Sequence, residues 1–239
     1  PVSQASGSIS GGNSNLTLIG DDINIGHSNG AGDNQNGLLT GNGKLTITPN
    51  LNAVEIELGG RDNGRINTLN ITEGELASIQ DGFSSISIGK VNLTSDIRTL
   101  GDVEFRDEVL LRSQGNIDTT AGEFSTTTGS LSIISDTGEV TTETVRTQDS
   151  DILIMANNDI NIGAAYASGD SNIVITSAEG GVTVENGLGV GESSSIGSNV
   201  SVAARTDILI NGDIDTSGEA RAGQVILTSE NGNIVTQGI

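Results

Sequence analysis

A short phrase recurs along the chain and constrains its architecture more than any single residue does. The phrase is Asp or Asn, then Ile, then Asn or Asp, and it follows an alternating aliphatic pair. It occurs as Asp22-Ile23-Asn24, Asn116-Ile117-Asp118, Asp159-Ile160-Asn161 and Asp213-Ile214-Asp215, with a weaker copy at Asn233-Ile234-Val235. A unit that repeats in this way is typical of folds in which each unit stacks on the previous one.

The aliphatic residues that open each unit are almost evenly spaced. They are Val109, Leu131, Ile152, Ile173, Val200 and Val225, and a second aliphatic position follows at Ile117, Val140, Ile160, Val182, Ile208 and Ile234. Two or three short strands per turn, joined by polar corners, indicate a parallel β-solenoid whose coils stack about 4.8 Å apart. We therefore expect an all-β fold of about ten coils of roughly 21 residues, a rod about 50 Å long.

Strict alternation of aliphatic and small polar residues argues against disorder, although Gly, Ser, Asn and Thr are abundant. Examples are Leu45-Thr46-Ile47, Ile86-Ser87-Ile88 and Val182-Thr183-Val184. Disordered segments lack such periodicity, whereas a period of two is typical of strands. Aromatic residues make up only 2% of the chain, so we expect an interior built almost entirely from Ile, Val, Leu and Ala.

One segment departs from the repeat and predicts a short helix on the side of the rod, over residues 73–80. Thr72 is followed by Glu75, with Leu76 and Ile79 at helical spacing, which is a capping-box pattern. We expect Gly82 to end the helix and assign it to an irregular module at 53–101. The whole chain, 1–239, is predicted to be one solenoid domain, and residues 1–10 an extended N-terminal arm.

The charge balance excludes several classes of partner. The formal net charge is −21, which disfavours binding to nucleic acid and to anionic membranes because no basic stripe can meet phosphates. The sequence has no cysteine, so disulfides and thiolate chemistry are excluded. We find no apolar run near the roughly 20 residues of a membrane helix and expect no membrane insertion.

Calcium is the metal that the composition favours, because Ca²⁺ prefers carboxylate and carbonyl oxygens. Acidic residues at the predicted coil corners are candidate ligands: Asp21, Asp22, Asp159, Asp213 and Asp215. The alternative is that Asp and Asn occupy these corners because they tolerate turn geometry and bond to the backbone. No other cofactor is indicated by the sequence.

An enzyme is not expected. His27 is the one histidine and there is no tryptophan, so neither a histidine base nor a tryptophan platform for sugar rings is present at a plausible site. His27 lies in a polar stretch, His27–Gly37, that reads as a loop leaving the rod. A β-helix polysaccharide lyase or hydrolase is kept only as a remote alternative.

Four neighbouring segments resemble a known family. The runs Glu57–Asp62, Leu69–Ile71, Glu75–Ile79 and Phe83–Gly89, together with the Gly-Asn-Ile and Gly-Asp-Ile phrases, resemble the filamentous-haemagglutinin-like exoproteins and adhesins of bacteria. The resemblance implies a right-handed parallel β-helix that is secreted to the cell surface, with an outer-membrane secretion partner. The family's secretion motif is Asn-Pro-Asn, whereas this chain has Thr48-Pro49-Asn50.

From these observations we predict a structural subunit or segment of a bacterial filament or adhesin shaft. It would act through shape and stacking, by associating end to end with identical subunits or by continuing in a longer chain. The alternative is a monomeric secreted adhesin whose loops, at His27–Gly37 or Gly187–Ser198, bind a host or matrix ligand.

Overall fold

A computed structural model describes residues 2–3, 8–25, 37–62, 64–189 and 197–237. Every strand pairing in these ranges is parallel, and the strands stack as a β-solenoid, as predicted. One continuous core of buried hydrophobic residues, aliphatic except for Phe83, Phe105 and Phe124, extends from Ile23 to Ile214. Alternation of period two explains this arrangement, because it directs one set of side chains to the interior and the other to solvent.

The first large sheet has nine strands, which lie along the rod in chain order. They are β3 (Leu16–Ile19), β6 (Lys44–Thr48), β9 (Ser85–Gly89), β12 (Val109–Ser113), β14 (Leu131–Ser135), β16 (Ile152–Ala156), β18 (Asn172–Ser177), β20 (Asn199–Ala204) and β23 (Val225–Ser229).

The second large sheet has eleven strands and faces the first across the core. They are β7 (Glu55–Leu58), β8 (Thr68–Ile71), β10 (Ile97–Thr99), β11 (Val103–Phe105), β13 (Ile117–Thr126), β15 (Val140–Thr147), β17 (Ile160–Ala167), β19 (Val182–Gly189), β21 (Ile208–Ile210), β22 (Asp213–Asp215) and β24 (Ile234–Thr236). Two small sheets pair β1 (Val2–Ser3) with β4 (Ile23–Asn24) and β2 (Ile9–Ser10) with β5 (Leu39–Thr40).

A regular turn of the solenoid contains three strand segments. The first lies in the first sheet, and the other two are the halves of one long strand in the second sheet. The pairing register shifts between Thr119 and Glu123 in β13 and between Ile162 and Ala164 in β17. At such irregularities a strand bends, so each long strand covers two sides of the core.

The predicted alignment of the coils is confirmed residue by residue. Val109 pairs with Leu131, Leu131 with Ile152 and Ile152 with Ile173, and these four side chains are completely buried. The second aliphatic position aligns in the same way, from Ile117 through Val140 to Ile160 and beyond. A shift of one residue would turn every inward side chain to solvent, so the pattern fixes this register.

The predicted number of coils is wrong. About six turns follow the regular repeat, whereas the earlier turns are longer. Leu16 pairs with Leu45, and Leu45 pairs with Ile86, so these two turns use 29 and 41 residues. The coils are fewer because the N-terminal turns contain insertions. Nine strands at a spacing of about 4.8 Å give a rod about 40 Å long.

In the longest insertion the chain takes a backward step, toward the N-terminal end of the rod. After β7 the chain returns to pair β8 with β7, on the side of β7 that faces away from β10 and close to β4. Gly59 and Gly60 make this reversal possible, since both have positive φ, at 81° and 65°, a conformation that favours glycine.

The predicted side helix is present but short. It spans Glu73–Leu76 (α1), and Thr72 and Glu75 form the expected capping box. The helix ends at Leu76 with Ala77 as its C-cap, and not at Gly82, because Ile79 already forms a parallel bridge with Leu39 and so belongs to the solenoid wall.

The predicted arm and loops are only partly described. Within the arm, β1 and β2 pair with strands of the same chain, so these parts belong to the solenoid. The predicted loop at His27–Gly37 lies almost entirely outside the described residues. Within Gly187–Ser198, residues 190–196 lie outside them, and Gly187–Gly189 belong to β19.

Candidate functional site

The five candidate calcium ligands lie on separate parts of the rod. Asp21 and Asp22 precede β4, Asp159 precedes β17, and Asp213 and Asp215 flank the inward Ile214 of β22. Within the described ranges, no group of three or more His, Cys, Asp or Glu side chains could hold a metal ion. Calcium binding by these residues therefore stays a prediction.

Three of these carboxylates already accept hydrogen bonds from the backbone. Asp21 Oδ1 accepts from the N–H of Leu51 at 3.1 Å, and Asp159 Oδ1 accepts from the N–H of Gly181 at 2.8 Å. Asp215 Oδ1 accepts from the N–H of Ser217 at 2.8 Å, and hydrogen bonds from Ser217 lower the pKa of this carboxyl group. The corner aspartates thus connect neighbouring turns or close local ones.

The contact of Asp159 is one member of a ladder along the corners, which we call the Asx ladder. In each member, an Asp or Asn stands immediately before an inward aliphatic position, and its Oδ1 accepts from the N–H of the equivalent residue one coil later. The pairs are Asn15 with Lys44 (2.9 Å), Asp96 with Asn116 (2.7 Å), Asn116 with Glu139 (3.0 Å), Asp151 with Asn172 (2.7 Å), Asp159 with Gly181 (2.8 Å), Asn199 with Gln224 (3.0 Å) and Asp207 with Asn233 (2.7 Å).

The Asx ladder includes two copies of the repeated phrase, whose first residues Asn116 and Asp159 are ladder acceptors. A short acceptor at this position satisfies the last backbone donor before the strand ladder begins. Glycine precedes the donor residue in six of the seven pairs, because the coils approach closely there: a Cβ on Gly138 would lie 2.5 Å from Asn116 Oδ1 and 2.8 Å from the carbonyl carbon of Gly115. At Asn116 and Asp159 the phrase therefore connects one coil to the next.

The irregular module contains a charge cluster around one buried carboxylate. The side chain of Glu57 is completely buried, and its Oε1 accepts from Arg65 and from Arg98, the latter through Nε at 3.0 Å. Glu57 Oε2 accepts from Asn70 Nδ2 at 3.1 Å. Because Arg65 belongs to the loop between β7 and β8, the cluster fastens that loop to the sheet. No sequence pattern predicted this cluster, since Glu57 and Arg98 are far apart in the chain.

A groove of about 660 Å³ lies beside this module, between the region before β4 and the loop before β8. Glu75 lines it with a carboxylate that accepts from the N–H of Ile25 at 3.0 Å and of Thr72 at 2.8 Å. Burial raises the pKa of Glu75. These contacts give Glu75 a structural role at the start of α1.

The last described coil is open on one side. We define the terminal coil as β23 and β24; within the described residues each pairs with one strand only, β23 with β20 and β24 with β21. Ile234 occupies the same inward position as Ile208, but its exposed fraction is 45%, compared with 0% for Ile208. The terminal coil therefore presents unpaired backbone groups and half-exposed core side chains.

Comparison with known proteins gives no relative. No protein-family model, no curated protein and no solved structure matches the chain. Among the described residues, no helix has the length and apolar character needed to cross a membrane.

Proposed function

We propose that the chain is a structural segment of a bacterial extracellular filament or adhesin shaft that works by stacking coil on coil. The terminal coil carries this proposal. Its inward residues follow the pattern of the buried coils, yet nothing among the described residues covers them. Another coil of the same type would bury them and pair their backbone groups.

The free energy that such stacking contributes can be calculated for one residue. Full burial of an Ile side chain stabilises by about 1.5–3 kcal/mol, so covering a half-exposed Ile234 contributes about 1 kcal/mol. New hydrogen bonds to β23 and β24 would add to this, since an open sheet edge is a template for further strands. The covering coil comes from an identical subunit or from a longer chain.

The location at the bacterial surface is supported by the resemblance of the Glu57–Gly89 region to surface exoproteins. It is also supported by the absence of cysteine, which suits a chain that must be exported unfolded. An outer-membrane secretion partner belongs to the same proposal.

Electron microscopy of the purified chain tests end-to-end stacking. We expect fibres with a repeat near the rod length, about 40 Å from a strand spacing of about 4.8 Å. Ile234→Lys places a charge in the contact between coils and should abolish fibres. Val235→Lys is the matched control, because Val235 is exposed by 49%, similar to 45% for Ile234, but pairs with the outward Leu209.

Each result has a defined meaning. Fibres that persist in Ile234→Lys would contradict stacking through the terminal coil, and loss of wild-type fibres in a calcium chelator would add calcium to the joint. Discrete short rods for the wild type would refute self-stacking. They would favour the second candidate, a monomeric adhesin, for which the groove of about 660 Å³ beside the module offers a ligand site.

A further inference from the structure

The side of the first sheet that faces solvent differs from the rest of the surface. We define the outer face as the outward side chains of β12, β14, β16, β18, β20 and β23 at the two aligned positions that are in register with Leu110 and Arg112, which gives two from each strand. Half of these are large aliphatic side chains: Leu110, Ile134, Leu153, Met155, Val174 and Ile226. The register places Leu153 beside Val174 and Ile134 beside Met155, so these four side chains form a continuous aliphatic patch at the centre. Ser132 and Ser201 separate it from Leu110 and Ile226.

The outer face has no carboxylate in a chain with 31 acidic residues. Apart from the aliphatic residues it consists of Ser, Thr, Ala and one charged residue, Arg112. Arg112 is already bound to Asp136 by two hydrogen bonds of 3.0 and 2.9 Å. The outer face is therefore almost neutral.

The second sheet is different over the same coils. Its outward positions include Asp118 in β13, Glu143 in β15, Glu185 in β19 and Asp213 in β22, all exposed. Two copies of a molecule with a net charge of −21 repel each other when such surfaces meet. The outer face is the large sheet surface through which two copies can approach without placing carboxylates opposite each other.

We propose that the outer face is an interface at which two copies of the chain pair side by side. Two sheets that pack face to face lie about 10 Å apart and bury the side chains between them. A two-fold axis near Met155 and Val174 would place each aliphatic patch on its own equivalent. This pairing runs along the rod, whereas the proposed function uses its end, so the two can fail independently.

The area of the outer face sets the strength of pairing. Six strands at about 4.8 Å, each contributing about 13 Å of length, give roughly 400 Å² per copy. That is about half of the area in a standard stable interface, so a single pair is weak. Salt strengthens it by screening the repulsion between copies. In stacked rods the same contact repeats along the length, and its effect multiplies.

Analytical ultracentrifugation in the Ile234→Lys background tests the pairing, because end-to-end association is blocked there. We expect a monomer–dimer equilibrium that shifts toward dimer in about 1 M sodium chloride, where the screening length is about 3 Å. Leu153→Glu should weaken the dimer by at least about tenfold. Leu209→Glu is the matched control, because Leu209 is also a half-buried outward leucine but lies in the second sheet, and it should leave the dimer unchanged.

Cross-linking locates the contact independently of charge. Since the sequence has no cysteine, Met155→Cys introduces a single thiol near the proposed axis and should yield disulfide-linked dimers on mild oxidation. Leu209→Cys should not. A chain that stays monomeric at high salt and high-micromolar concentration, or a dimer that survives Leu153→Glu, would overturn the proposal. Equal cross-linking by both cysteine variants would overturn it as well.

Discussion

Substitutions of Asp159 distinguish two roles for the corner aspartates, because its carboxylate is both a ladder acceptor and a candidate calcium ligand. Asp159→Ala removes the acceptor and the charge, whereas Asp159→Asn keeps an Oδ1 acceptor and removes only the charge. If the residue serves the Asx ladder, the alanine variant should be destabilised and the asparagine variant should resemble the wild type.

The magnitude follows from the contact with Gly181. Its N–H donates to Asp159 Oδ1 at 2.8 Å, and Gly181 is half-buried. An intramolecular hydrogen bond of this kind contributes about 0.5–1.5 kcal/mol net. For a chain of this length, 1 kcal/mol shifts the melting temperature by about 2–4 °C. We expect a decrease of that size for Asp159→Ala and little or no change for Asp159→Asn.

The assay is thermal unfolding followed by circular dichroism, with calcium and with a chelator. Asn161→Ala is the matched control, since Asn161 belongs to the same phrase but points outward and is exposed. A ligand that binds only the folded state raises stability with its concentration. If Asp159→Ala melts at the wild-type temperature in chelator, the ladder interpretation of Asp159 is refuted; if calcium raises the melting temperature of the wild type and not of Asp159→Asn, the carboxylate also binds calcium.

Three further perturbations test the packing of the rod by chemical denaturation. Gly138→Ala should lose about 1–3 kcal/mol, because its Cβ would overlap the preceding coil; Gly74→Ala, where no described atom lies within 4 Å of the new Cβ, should be neutral or stabilising. Thr119→Val should gain about 1 kcal/mol, since the buried Thr119 hydroxyl has no hydrogen-bond partner among the described residues; a loss of stability would indicate a bound water. Burial raises the pKa of Glu75 from its ordinary 4.5, so the folded state binds this proton more tightly than the unfolded state. The stability that proton binding by Glu75 contributes is present below pH 4.5 and is lost as pH rises through the folded pKa. Glu75→Gln should therefore flatten the dependence of unfolding free energy on pH in that window. An unchanged slope would contradict this.

The solenoid could be predicted because its signal is periodic and local. Pairs such as Leu131 and Ile133 recur at nearly constant spacing, and the inward alternation fixes the register wherever the core is buried on both sides. The capping box at Thr72 and Glu75 could be predicted for the same reason, since its two residues are neighbours in sequence.

The coil count and the charge cluster could not be predicted in this way. The backward step to β8 depends on two glycines, Gly59 and Gly60, whose positive φ angles are a property of the folded loop. The contact between Glu57 and Arg98 joins residues 41 positions apart, across an insertion that has no periodic signal. The Asx ladder left a visible trace, the Asp or Asn before each inward position, but the trace alone did not distinguish a bond between coils from a turn or a metal ligand.

The backward step of β8 has a mechanical consequence. In the regular part of the solenoid, order along the chain equals order along the rod. Tension from the C-terminal side would therefore remove one coil at a time, each releasing roughly 21 residues, or about 70 Å of extended chain. At β8 the order reverses, because this strand lies under β7 and close to β4 and must be drawn out from between them. We therefore expect extension of the rod, coil by coil from the C-terminal side, to stop at β8.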